Sequence, residues 1–140
     1  KELKKFATGK FQYVGLNDKT YPDGLDTEGF TFKSLQSAWK NTRLQSQREH
    51  VTPYLKDPLN NFKICIIDSK ENYSKYRFTV DYSDDFEFVN QIYQGFTPYE
   101  IFTLKDIIFF LKNNPSLLKI NSSHKRNEGY VKSISDDKII

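Results

Sequence analysis

Three groups of residues have types and spacing that can do chemistry. The first is Asp81. Tyr76, Phe78 and Val80 alternate with Arg77 and Thr79, which predicts a strand, and Ser83 or Asp84 can then cap a helix. Asp84 followed by Glu87 has the form of a capping box, and Phe86, Val89, Tyr93 and Phe96 recur at helical spacing as one apolar face. Asp81 thus stands where a strand ends and a helix begins, the edge at which ligands enter α/β sheets. A carboxylate there can hold Mg²⁺ together with the oxygens of a phosphate-bearing substrate. It can also simply cap the helix or open a turn, and local pattern alone favours that reading.

The second group is Asp23, Asp26 and Glu28, three carboxylates around the turn Pro22-Asp23-Gly24, before an alternating stretch that predicts an extended segment. Locally they read as a solvated turn and strand edge. The third is Arg48, Glu49 and His50, a donor fork, an acceptor and an imidazole in succession. On a helix they fan about 100° apart, so they cannot all face one ligand. Ser46 with Glu49 gives a second capping box, and Pro53 allows only a short or kinked helix.

These groups need elements to position them. Lys1 to Lys10 predicts the end of a helix, with Leu3 and Phe6 as apolar contacts and Gly9 as its stop. A strand is predicted over Phe11 to Leu16, ended by Asn17-Asp18. Ser34 to Asn41 predicts a helix with Leu35, Ala38 and Trp39 inward, and Asn61 to Asp68 a mostly buried strand. Cys65 in that strand reads as a small core residue. Thr103 with Asp106 is a third capping box, opening a helix with Leu104, Ile107, Ile108 and Leu111 inward that stops before Pro115. Beyond Tyr130 the polar tail is expected to fray. Interleaved helices and strands make the class α/β.

The 140 residues fit one domain, 1–140, with a real core. The apolar run Ile107 to Leu111 is too short to cross a bilayer, so no membrane insertion is expected. One cysteine excludes a disulfide framework and a cysteine zinc site, and Lys1 to Lys5 leads into no apolar stretch; a cytoplasmic location is expected. A net charge of +3, scattered among acids, gives no phosphate-tracking face for nucleic acid. Two histidines, His50 and His124, assemble no triad, and HExxH, CxxC, GxGxxG and GxxxxGK are all absent. Without a Gly-rich phosphate loop the chain offers an acidic ligand but no nucleotide cradle. It contains no Met, at its start or elsewhere, which predicts part of a longer protein.

Four segments in order resemble a known family: Tyr21 to Phe30, Ser46 to Tyr54, Arg77 to Asp81 with Asp84 to Glu87, and Arg126 to Ser133. Together they are similar to the C-terminal half of bacterial cytidylyltransferases of the spore coat polysaccharide biosynthesis protein F type. These are relatives of acylneuraminate and 3-deoxy-manno-octulosonate cytidylyltransferases. The resemblance implies the C-terminal portion of a nucleotide-diphospho-sugar transferase (Rossmann-like) fold, and a reaction of CTP with a sugar or sugar acid giving a CMP-sugar and pyrophosphate, with Mg²⁺. By the resemblance Asp81 is the metal-binding and catalytic aspartate. Asp23, Gly24, Asp26 and Glu28 run past the sugar site, and Arg48, Glu49 and His50 lie near that site or a homodimer contact. Gly29 departs from the pattern, where a larger apolar residue is expected; this should weaken the strand and widen the site. The family's N-terminal half, with its nucleotide loop and first metal aspartate, is absent, so these residues alone should not catalyse the reaction. The alternative is a non-catalytic binding or assembly module that keeps part of the fold.

Overall fold

The protein is described by a computed structural model covering residues 2–99 and 101–140, with all their side chains except those of Glu2 and Leu3. The contact expected of Leu3 lies outside the described residues. At the centre runs β1, Tyr13–Leu16. β2, Glu28–Phe30, pairs with it antiparallel, with Val14 opposite Gly29, and β3, Ile64–Ile67, pairs parallel, with Val14 opposite Cys65. A parallel partner needs a crossover. It is supplied by three helices, α2 (Phe32–Asn41), α3 (Gln45–His50) and α4 (Pro53–Lys56), after the short first helix α1, Glu2–Phe6. Gly9 follows α1 in the left-handed region and its N–H bonds to the carbonyl of Phe6, as its predicted role as a stop requires.

Tyr13, Ala38 and Leu55 form one buried core, with Phe30, Tyr54, Phe62 and Ile64 against it. A second core lies under α5 (Ser83–Gln94) and α6 (Leu104–Asn113), built from Tyr76, Phe88, Ile92, Ile108 and Leu111. α6 follows its predicted box, with the Thr103 N–H donating to Asp106 Oδ2 at 2.7 Å.

Several expectations are corrected. Tyr76 to Val80 forms no strand; one bridge joins Arg77 to Asp23. The α5 face is displaced from the expected one: Asp85, Phe88 and Ile92 are buried, while Phe86 and Tyr93 are 63% and 62% exposed. Asp84 and Glu87 make no capping box. Instead Asp85, the third helical residue, accepts from the N–H groups of Asp81 and Tyr82. In α2 the buried side chains are Ser34 and Ala38, and Trp39 is 65% exposed. β3 is shorter than Asn61 to Asp68 and only half buried, because β1 is its one strand partner among the described residues. Gly29 does not prevent β2 from forming, and the space where its side chain would stand faces the ring of Phe6, on the α1 side, so its absence does not widen the clefts described below.

The tail beyond Tyr130 is folded. α7, Glu128–Ser135, packs on α3, and Leu44 bridges Ile139. The predicted Ser46–Glu49 box is replaced by a longer-range cap. The Ser46 N–H donates to Asp137 Oδ1 at 3.0 Å and its hydroxyl to Oδ2 at 2.6 Å. These bonds hold the Asp137 carboxyl below the usual carboxylate range. Ser46→Ala is therefore expected to cost about 1 kcal/mol in urea unfolding and to speed proteolysis of the C-terminal tail.

Candidate functional site: two clefts around Arg77 and Arg126

Asp23 reaches the site because its backbone pairs with the segment leading to Asp81. Its N–H donates to the Tyr76 carbonyl at 3.0 Å, and the Phe78 N–H donates to the Asp23 carbonyl at 2.8 Å. Gly24 allows that approach. It has φ +85°, and a Cβ there would lie 2.2 Å from the Thr79 backbone nitrogen. Gly24→Ala is expected to lose about 1–3 kcal/mol or more, read as a lowered midpoint in denaturant.

Arg77 gathers three carboxylates. Its Nε and Nη2 donate to the two oxygens of Asp85 at 2.9 and 2.8 Å, Nη2 also to Asp81 Oδ2 at 2.9 Å, and Nη1 to Asp23 Oδ2 at 3.0 Å. Asp85 is 0% exposed and also accepts from Asn121 Nδ2 at 2.9 Å. Burial alone would raise its pKa. The hydrogen bonds of Arg77, Asn121 and the Asp81 N–H, with the guanidinium charge, outweigh that and hold it well below the usual range. Asp23 goes the other way: burial pushes its carboxyl up despite Arg126 and Arg77 beside it.

Arg126 closes the second side. Its Nη1 donates to the Tyr21 carbonyl at 2.8 Å and Nη2 to Asp26 Oδ1 at 2.7 Å, while its buried Nε lies 4.0 Å from Asp23 Oδ1 and makes no hydrogen bond. Glu28 accepts from the Tyr13 hydroxyl at 2.6 Å and from Lys56 Nζ at 3.0 Å. Burial works to raise the Glu28 pKa, but bonds from Tyr13, Thr52 and Lys56 bring it below the ordinary value.

These groups line two adjoining clefts. The larger, about 600 Å³, is bounded by Asp26, Glu28, Lys56 and Arg126. The smaller, about 330 Å³, is bounded by Asp23, Arg77, Asp81 and Lys125. His50, Asn127 and Tyr130 line both. His50 is fixed at the junction, with Nε2 2.6 Å from Ser133 Oγ and its ring edge-on to Tyr130 at 4.9 Å.

Of the predicted site residues, the structure brings together Asp23, Gly24, Asp26, Glu28, His50 and Asp81. Arg48 and Glu49 go elsewhere, as the fan of α3 requires. Arg48 lies over the Trp39 ring in a separate apolar groove of about 510 Å³ with Phe32 and Val51, and Glu49 is exposed and lines neither cleft. Sequence reasoning missed Tyr13 and Lys56 as site groups, while Arg77 and Asp85 stand inside a segment of the resemblance without a role assigned to them. Arg126 and Tyr130 carried a signal through the closing segment. His124, which belongs to no triad, stacks on Tyr82 at 4.1 Å and meets Asp84 at 2.7 Å.

The donor set bears on Mg²⁺. No group of three or more His, Cys, Asp or Glu among the described residues is arranged to hold a metal. The guanidinium of Arg77 already occupies the centre of the carboxylates. Asp81 is different: its side chain is 61% exposed, and its bonds from Arg77 and Thr79 both use Oδ2. Oδ1 is left for a further ligand. One carboxylate oxygen fits an ion whose other ligands are water and phosphate, the usual habit of Mg²⁺.

No family model matches the chain. It is 34% identical over 125 residues to the uncharacterized protein MJ1063 of Methanocaldococcus jannaschii, a span of 88% of this chain and 50% of that relative. It is also similar to the solved structure of a cytidylyltransferase from Leptospira borgpetersenii serovar Hardjo-bovis, with 30% identity and a TM-score of 0.74, over 81% of this chain and 48% of that one. The chain therefore spans about half the length of the relatives it matches. At that identity and score the mixed α/β fold is nucleotidyltransferase-like. No described helix is long and apolar enough to cross a membrane.

Proposed function

We propose that these residues are the C-terminal part of a cytidylyltransferase, which makes a CMP-activated sugar or sugar acid from CTP for surface or spore-coat polysaccharide. The observation that carries the reading is the likeness in fold and sequence to a solved cytidylyltransferase across most of the chain. The two adjoining clefts suit a reaction with two substrates. A sugar hydroxyl attacks the α-phosphorus of CTP, the bond from that phosphorus to the bridging oxygen breaks, and pyrophosphate leaves with that oxygen. The hydroxyl proton passes to solvent.

In this reading Asp23, Asp26, Glu28 and His50 line the path of the sugar, and Gly24 lets the Asp23 turn close on the segment before Asp81. Arg77 lines the smaller cleft and, with Asp85 behind it, holds Asp81 at the rim. Asp81 would hold Mg²⁺, which when bound neutralises phosphate charge. Arg48 and Glu49 belong to a different surface, where a homodimer contact is the remaining role for them. The location of the enzyme in this reading is the cytoplasm, where CTP is made. CTP with Mg²⁺ is expected to raise the melting temperature of the protein in its full natural length, by mass action on the folded state, more than UTP, ATP or GTP does. Equal shifts with all four nucleotides would oppose a cytidine site.

A further inference from the structure

His50 is held from two sides. On its own chain, α3 ends at Val51, a β-branched residue with φ +63° and ψ −52°, a conformation such side chains adopt only under strain. The Thr52 N–H closes that turn on the His50 carbonyl at 2.6 Å, and Thr52 is itself buried and bonded to Glu28. From across the cleft, α7 supplies the ring of Tyr130 and the hydroxyl of Ser133.

That hydroxyl decides which ring nitrogen carries the proton. It has one hydrogen, and its 3.0 Å contact with the Tyr130 carbonyl uses it, because a carbonyl only accepts. The 2.6 Å contact with His50 is then a bond from Nε2–H to Ser133 Oγ. In the neutral ring Nδ1 is left with a lone pair. It has no hydrogen-bond partner among the described residues, and it is not sealed from solvent. His50 lines both clefts, so this basic nitrogen stands where a sugar in one meets a phosphate in the other. The carboxylates nearby are placed less well. Glu28 accepts from Tyr13 and Lys56, and Asp23 lines only the smaller cleft with Oδ2 on Arg77.

We infer that His50 Nδ1 is the general base of the proposed reaction, taking the proton of the sugar hydroxyl where the two clefts join. The proton moves to the Nδ1 lone pair, and the O–H electron pair stays on the oxygen. That oxygen bonds to the α-phosphorus as pyrophosphate departs with the bridging oxygen and its electrons. The imidazolium then releases the proton to solvent, while Ser133 keeps Nε2–H in place. The inference rests on the proposed function for its substrates, but the state of the ring can be read without them.

The first test is nitrogen-15 NMR of the imidazole rings in the protein at its full natural length, with His50 assigned by its loss in His50→Gln. Nε2 protonated and Nδ1 bare in the neutral ring is the expected result, and Ser133→Ala should mix the two tautomers. Nδ1 protonated in the neutral ring overturns the inference. Pyrophosphate release from CTP is then followed with mannose, N-acetylglucosamine and N-acetylneuraminic acid as acceptors. His50→Gln can still donate to Ser133 but has no basic nitrogen, and is expected to lower kcat about a hundredfold or more with little change in KM for the sugar. Added imidazole should restore part of the rate lost in His50→Ala. An unmoved kcat, a loss carried by KM alone, or a His50→Ala protein folded by circular dichroism that imidazole fails to rescue also overturns it. Release with no acceptor in the unaltered protein sinks the cytidylyltransferase reading, and the base with it, a failure that no His50 variant can imitate.

Discussion

Asp81→Asn, in the protein at its full natural length, is expected to lower CTP-dependent pyrophosphate release by about a hundredfold or more, since charge stabilisation by a held metal is worth several kcal/mol. The fold should survive. Asp81 is largely exposed, and asparagine can still accept from Arg77 and Thr79, so the midpoint in urea should move by less than about 1 kcal/mol. Turnover and unfolding therefore separate the roles the sequence left open. Lost stability with retained turnover would make Asp81 a helix-start residue and nothing more.

Arg77→Ala is expected to do the opposite, removing about 3–5 kcal/mol of stability because it leaves Asp85 charged and buried without its counter-charge. Arg77→Lys should recover only part, since a lysine cannot supply the two-pronged contact with both Asp85 oxygens. The same pair sets the response to acid. The Asp85 pKa is lowered in the folded state, so its contribution is present above the unfolded value of about 3.9 and is lost as pH falls below it. Glu28, also lowered, acts in the same direction. Asp23 is raised, so its contribution has the opposite sign and falls as pH rises from the unfolded value through the folded one. Urea midpoints from pH 7 down to pH 2 should drop steeply in the unaltered protein and much less in Arg77→Ala. Parallel curves would mean the acid response arises elsewhere.

How far these features could be read from sequence depended on their range. The Thr103–Asp106 box was legible because all its atoms lie within one helical turn. β1 was legible from its apolar alternation. The α5 face was not, because its buried stripe begins with a carboxylate. Asp85 can be buried only because Arg77 and Asn121 reach it, the latter from 36 residues away, and no periodicity records such a partner. Trp39 misled for a related reason: its apolar surface lies beside Arg48, in a groove rather than in the core. The C-terminal segment looked polar and loose, yet Asp137 is fixed across 91 residues by Ser46. For the site, sequence supplied the acids, Asp23, Asp26, Glu28 and Asp81. The arginines that organise them needed the fold, since the backbone pairing of Asp23 with the segment around Arg77 is what brings them together.

The most direct measurement is pyrophosphate release by the protein in its full natural length, supplied with Mg²⁺, a panel of hexoses and each of the four nucleoside triphosphates. Release that requires both CTP and a sugar, with CMP appearing on the sugar by mass spectrometry, is the expected result. Pyrophosphate from no nucleotide, with the folded protein binding CTP no better than the other three, would contradict a cytidylyltransferase.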